Sequence, residues 1–186
     1  MRTFIAVELT DDVRCALKDV QARLRAGGAD VKWVEEENLH LTVKFLGEVW
    51  DERLPDVIAT TRLAVASLPV FPVSLGGIGA FPSVTRPRVV WVGLQSGSEP
   101  FKRLMEQVEA AMAGLGFPRE GRALHPHVTL GRVRDPRHLK RLPALLKAEP
   151  PETLGSLTVE RLTIMSSLLS SKGPRYNPIG YVDIGK

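Results

Sequence analysis

Two tracts of this chain follow one pattern: His40-Leu41-Thr42-Val43 and His127-Val128-Thr129-Leu130, each followed within two residues by a cation, Lys44 or Arg132. Alternation of polar with apolar residues is the period of a strand that buries one face, so the histidine and threonine of each tract share a side and the aliphatic residues share the other. Each tract also stands at a matching station behind an apolar strand, 36 residues from Phe4 to His40 and 38 from Val89 to His127. That spacing restricts the chain to two similar halves, related by a pseudo-twofold that brings the two motif strands together.

The rest of the sequence supplies the halves. Arg2 to Glu8 reads as a strand. Thr10 then caps a helix with Asp11 and Asp12 in its first turn, a buried stripe of Val13, Ala16, Leu17, Val20 and Leu24, and Gly27-Gly28 at its end. Strands are expected around Val31 to Val34 and Leu39 to Leu46, then a helix carrying Leu54, Val57, Ile58 and Val65, then a strand from Val70 to about Gly76. This is β-α-β-β-α-β order. The second half approximates it, with a strand at Arg88 to Leu94, a helix opened by Ser98 and Pro100, a strand at His127 to Val133 and a helix begun by Asp135-Pro136. Apolar strands at Ser156 to Met165 and Ile179 to Ile184 follow, joined by Ser166 to Pro178, whose Ser, Gly and Pro content reads as a loop able to roof a cleft.

At 186 residues and 44% hydrophobic content, the chain is expected to form one two-lobed domain over residues 1–186. Cys15 alone excludes an intramolecular disulfide, and no Cys-x-x-Cys pair suggests structural zinc, so a reducing cytoplasm is the expected compartment. The apolar stretch at the start is too brief for a signal peptide, and no segment approaches a membrane span. The formal charge of +4 favours an anionic partner without selecting one.

Two imidazoles facing each other across a cleft can act as general acid and general base on opposite sides of one phosphodiester, with the threonine hydroxyls on its oxygens. The residues around the motifs sharpen this. Arg2-Thr3-Phe4-Ile5-Ala6, the tract His40 to Gly47, Arg88-Val89-Val90-Trp91-Val92-Gly93-Leu94 and the tract Pro126 to Arg132 resemble the bacterial and archaeal RNA 2′,3′-cyclic phosphodiesterases, long called 2′-5′ RNA ligases, within the two-histidine phosphoesterases. The likeness runs over nearly the whole chain in the expected order. It implies an α+β, bilobal fold with an antiparallel sheet in each lobe and the active site in the groove between them. It also implies His40 as proton donor, His127 as proton acceptor, and Thr42 and Thr129 on the phosphate. Hydrolysis would leave a 2′-phosphate, and 2′-5′ joining of RNA ends is the activity behind the older name. The scheme needs no metal and no cofactor. The expected partners are RNA with 2′,3′-cyclic phosphate ends or small cyclic nucleotides, handled by a monomer.

Arg132 is a further phosphate ligand only if a bulge at Gly131 re-aims it, since in a regular strand it points away from His127 and Thr129. Lys44 shares the face of His40 and Thr42 by the same parity, but equally suits a solvated strand end. His125 and His127 lie two apart, yet no third ligand completes a metal set. His138 falls among Arg134, Arg137, Lys140 and Arg141 on an expected solvated helix that can also meet an RNA backbone. Trp91 reads as core, Tyr176 as the best base-stacking candidate, and Gly76-Gly77-Ile78-Gly79 as a bend. The competing function is a non-catalytic RNA-binding protein of two RRM-like halves. Such a protein carries aromatics interleaved with basic residues on its central strands, and the motif strands here lack that pattern.

Overall fold

Ile5, Ala6 and Val7 are apolar without interruption, which suits a strand between two others. In the computed structural model, which describes residues 1–170 and 173–186, β1 (Arg2–Glu8) lies in the interior of a sheet with all three side chains buried. The other elements are α1 (Asp11–Arg25), β2 (Val31–Trp33), β3 (His40–Glu48), α2 (Leu54–Val65), β4 (Phe71–Phe81), β5 (Val89–Ser96), α3 (Ser98–Gly114), β6 (His127–Val133), α4 (Leu142–Ala148), β7 (Thr153–Val159), β8 (Arg161–Ser170) and β9 (Gly173–Asp183). Strand order is β7-β4-β5-β6-β3-β1-β8-β9, with β2 added to β6, and every pairing is antiparallel.

That order is two four-stranded lobes, β6-β5-β4-β7 and β3-β1-β8-β9, joined at one rung where Leu41 faces Val128. The pseudo-twofold runs through this seam. Each half donates two strands to the other lobe: β4 and β2 of the first half pair with β5 and β6, and β8 of the second pairs with β1 and carries β9. The bilobal α+β expectation holds, with the halves interleaved rather than side by side. Leu41, Val43, Val128 and Leu130 are buried in the hydrophobic core. Complete burial of side chains of this size contributes about 1.5–3 kcal/mol each. The opposite face of the seam stays open.

Four local readings change. Thr10 is the N-cap residue of α1, but its hydroxyl makes no capping bond, and Ala16 is only half-buried. No helix begins at Asp135: its carboxylate accepts from the Arg137 N–H at 3.0 Å and meets His138 Nδ1 at 2.7 Å, a local turn that competes with helix formation. The next helix, α4, waits until Leu142, so the basic residues around His138 lie on a turn. Of the stretch expected as a loop, Ser166–Ser170 and Gly173–Pro178 belong to the β8–β9 hairpin, and residues 171–172 lie outside the described residues. Pro174 and Pro178 are tolerated because β9 is an edge strand, where a missing N–H breaks no further ladder. Gly76 to Gly79 is a bulged segment inside β4, with Gly77 at φ +74°.

Candidate active site

The seam sets the geometry. Because Leu41 and Val128 face each other, antiparallel register brings His40 across from Thr129 and Thr42 across from His127, all four on the open face and half-buried. The imidazoles therefore lie diagonally across one rung, each beside the other strand's threonine. Neither threonine hydroxyl has a hydrogen-bond partner among the described residues.

Both rings are held in the same way. His40 Nδ1–H donates to the Asn38 carbonyl at 2.7 Å, and His127 Nδ1–H donates to the His125 carbonyl at 2.6 Å. A carbonyl only accepts, so Nδ1 carries the proton in both rings and Nε2 is left for chemistry. Aromatic neighbours fix the ring planes. His40 stacks on Phe4 at 4.8 Å and meets the edge of Tyr176 at 5.4 Å, while His127 meets Phe81 at 5.2 Å. Burial pushes both imidazoles below the ordinary histidine range, partly offset by the carbonyl bonds. Each also feels nearby positive charge: His40 from His127, and His127 from His125 and Arg132.

Two bulges at equivalent stations decide where the cations go. In β3, Thr42 faces Ala6 and Lys44 faces Ile5, so Val43 is an extra residue; in β6, Thr129 faces Trp91 and Gly131 faces Val90, so Leu130 is extra. Each bulge reverses the alternation beyond it. Arg132 is thereby turned onto the open face with His127 and Thr129, by a bulge one residue earlier than Gly131. Lys44 is turned the other way, into the interior, where its Nζ lies 2.9 Å from the Glu109 carboxylate. It does not share the face of His40.

Trp91, expected in the core, is only half-buried on the open face opposite Thr129, against Phe81 at 5.1 Å and His125 at 4.7 Å. Gly79 makes this possible, since a Cβ there would overlap the indole. Phe45, five residues beyond His40 as Arg132 is beyond His127, is 63% exposed on the groove face. Its exposure depends on the Val43 bulge, which no local pattern announces.

A curled antiparallel sheet, with one His-x-Thr strand from each half at its seam, puts the chain in the same α+β fold class as the solved structures it resembles. The model of the 2′-5′ RNA ligase superfamily matches residues 5–169. A protein of Aeropyrum pernix named RNA 2′,3′-cyclic phosphodiesterase is 38% identical over 162 residues, covering 85% of this chain and 91% of its own. A crystal structure from Thermus thermophilus shares 32% identity with a TM-score of 0.81. That of E. coli LigT complexed with 3′-AMP shares 25% with a TM-score of 0.79; each covers 100% of this chain and 98% of the other. The chain belongs to the 2′-5′ RNA ligase superfamily.

Proposed function

We propose that residues 1–186 act as one two-lobed phosphodiesterase that opens the terminal 2′,3′-cyclic phosphate of RNA to a 2′-phosphomonoester. The carrying observation is the pair of Nε2 atoms left free on one face, each with Nδ1–H tied to a carbonyl. Relatives named RNA 2′,3′-cyclic phosphodiesterase support the same reading. Neutral His127 takes a proton from water at Nε2 as the water oxygen bonds to phosphorus. The bond from phosphorus to O3′ breaks, and His40 gives its Nε2 proton to that oxygen. Thr42, Thr129 and Arg132 donate to the non-bridging oxygens as negative charge builds. A 5′-hydroxyl in place of water yields a 2′-5′ linkage by the same proton transfers. No helix among the described residues is long and apolar enough to cross a membrane. The working setting is the cytoplasm and the working unit a monomer.

Phosphorus NMR on a 2′,3′-cyclic nucleotide tests this. The cyclic resonance is expected to be replaced by that of a 2′-monoester, at an unchanged rate with chelator present. Binding without turnover supports the RRM-like alternative, and a rate restored only by a divalent ion contradicts acid–base catalysis by the histidines alone.

The pH dependence carries a sign. Catalysis needs His40 charged and His127 neutral, and burial lowers the pKa of both. In the free protein the His40 proton is therefore lost below the ordinary histidine value of about 6.5. The alkaline limb of kcat/KM is expected below that value. A bound phosphate anion favours imidazolium, so the limb of kcat lies at higher pH. Coincident limbs in the two profiles contradict the assignment.

A further inference from the structure

The two ends of the open groove differ in charge although the pseudo-twofold relates them. Five residues beyond His40 the groove presents Phe45; five beyond His127 it presents Arg132. The Arg132 end is crowded with cations. Lys32 stands directly opposite Arg132 in the β2–β6 ladder, and both are exposed. Its neighbours Val31 and Trp33 pack against the core, which fixes Lys32 on the same face as Arg132. Arg134 continues the line, its N–H on the Asp30 carbonyl and its guanidinium 3.6 Å from the Asp30 carboxylate. The β4–β5 hairpin reaches this edge of the sheet, where the Arg88 carbonyl accepts from the Val133 N–H at 2.9 Å.

Residues 30–32 and 132–134, which the ladder and the Arg134–Asp30 bond bring together, hold three Lys and Arg against one carboxylate. These six residues carry half of the whole chain's excess of four positive charges. Like charges directly opposite in a ladder are destabilising, and Lys32 facing Arg132 is such a pair, a cost that a second, upstream phosphate offsets. One phosphate between His40 and His127 employs Arg132 alone. Among the described residues, Lys32 forms no ion pair.

We propose that this end of the groove is a subsite for the phosphodiester backbone of single-stranded RNA whose cyclic end occupies the His40–His127 site, with Lys32 and Arg134 on upstream phosphates. The subsite rests on the reading that the groove takes a cyclic-ended nucleotide. Alternate residues of a strand are about 6.5 Å apart, so Arg132 and Arg134 form a stepped line leading out of the groove from His127. A line of cations entering a groove suits a polyanionic strand better than a flat anionic bilayer.

Fluorescence anisotropy of a labelled ten-nucleotide RNA ending in a 2′,3′-cyclic phosphate reads the subsite, and hydrolysis of 2′,3′-cyclic AMP reads the His40–His127 groove alone. The Lys32→Gln/Arg134→Gln variant is expected to bind the RNA about tenfold more weakly at low salt. Its slope of log affinity against log salt falls by about 1.4, from ~0.7 per lost phosphate contact. Cyclic AMP turnover stays within about twofold of the unsubstituted protein, because one mononucleotide phosphate does not reach these side chains. Unchanged RNA binding or salt slope overturns the proposal, as does an equal loss of cyclic AMP turnover. Vesicles of phosphatidylserine and phosphatidylcholine that displace the RNA, and lose affinity in the same variant, overturn it in favour of a membrane surface. Anisotropy needs no turnover, so a protein inactive on cyclic ends refutes the catalytic reading while the RNA path is still tested by its binding and salt slope.

Discussion

Replacing His40 or His127 by alanine is expected to lower kcat on a 2′,3′-cyclic nucleotide by about 10²–10⁴ in each case, the range that a positioned acid or base supplies. This corresponds to roughly 3–5 kcal/mol of barrier per histidine. Both losses should be large because the two rings are built alike: each donates Nδ1–H to the carbonyl two residues before it, and each stands next to the other strand's threonine. The double variant should be little slower than the worse single one, because an acid and a base that act on one phosphorus fail as a unit. Neither ring is a core residue, so far-ultraviolet circular dichroism and the thermal midpoint should barely move. A single variant that keeps full turnover contradicts the acid–base pair. The two singles also separate by pH: with His40 absent the alkaline limb assigned to its proton disappears, and with His127 absent the acid limb does.

The same stretch of chain shows what a sequence can and cannot disclose. β1 and β6 lie at the expected residues, and α3 opens at Ser98 as its start signals indicate, because hydrophobic period and local caps are short-range properties. His40, Thr42, His127 and Thr129 meet on one face, as duplication with matched spacing implies. The two bulges are not legible in this way. An extra residue at Val43 or Leu130 exists only relative to the neighbouring strands β1 and β5, so no local signal fixes its position. Yet those residues decide that Arg132 faces the groove and Lys44 the interior. The β8–β9 hairpin escapes the sequence for a different reason. Ser, Gly and Pro usually mark loops, and an edge strand that needs few N–H donors can be made of them.

Lys44 provides the largest expected effect on stability. Its side chain is 3% exposed and that of Glu109 11%, with Nζ 2.9 Å from Oε2. The ammonium also donates to the Pro118 carbonyl at 2.9 Å, and the Glu120 N–H donates to Glu109 Oε1 at 2.8 Å. The network thus ties β3, the strand of His40, to α3 and to the segment that leads into β6, the strand of His127. Lys44→Met leaves a carboxylate buried without its counter-charge and a carbonyl without its donor. Breaking one side of such a buried pair costs about 3–5 kcal/mol. For a chain of this size each kcal/mol shifts the midpoint by about 2–4 °C, so calorimetry should find Tm lower by roughly 6–20 °C. Glu109→Leu should cost a comparable amount, because it leaves the ammonium buried instead. The Lys44→Met/Glu109→Leu double variant removes both charges and should lose clearly less than the sum of the two singles, since apolar replacement of an ion pair is often neutral or stabilising. Full recovery is not expected: the Pro118 carbonyl and Glu120 N–H each lose a partner, at about 1–3 kcal/mol where the group stays buried. Single variants that lower Tm by less than about 2 °C, or a double variant whose loss equals the sum of the singles, contradict a coupled pair.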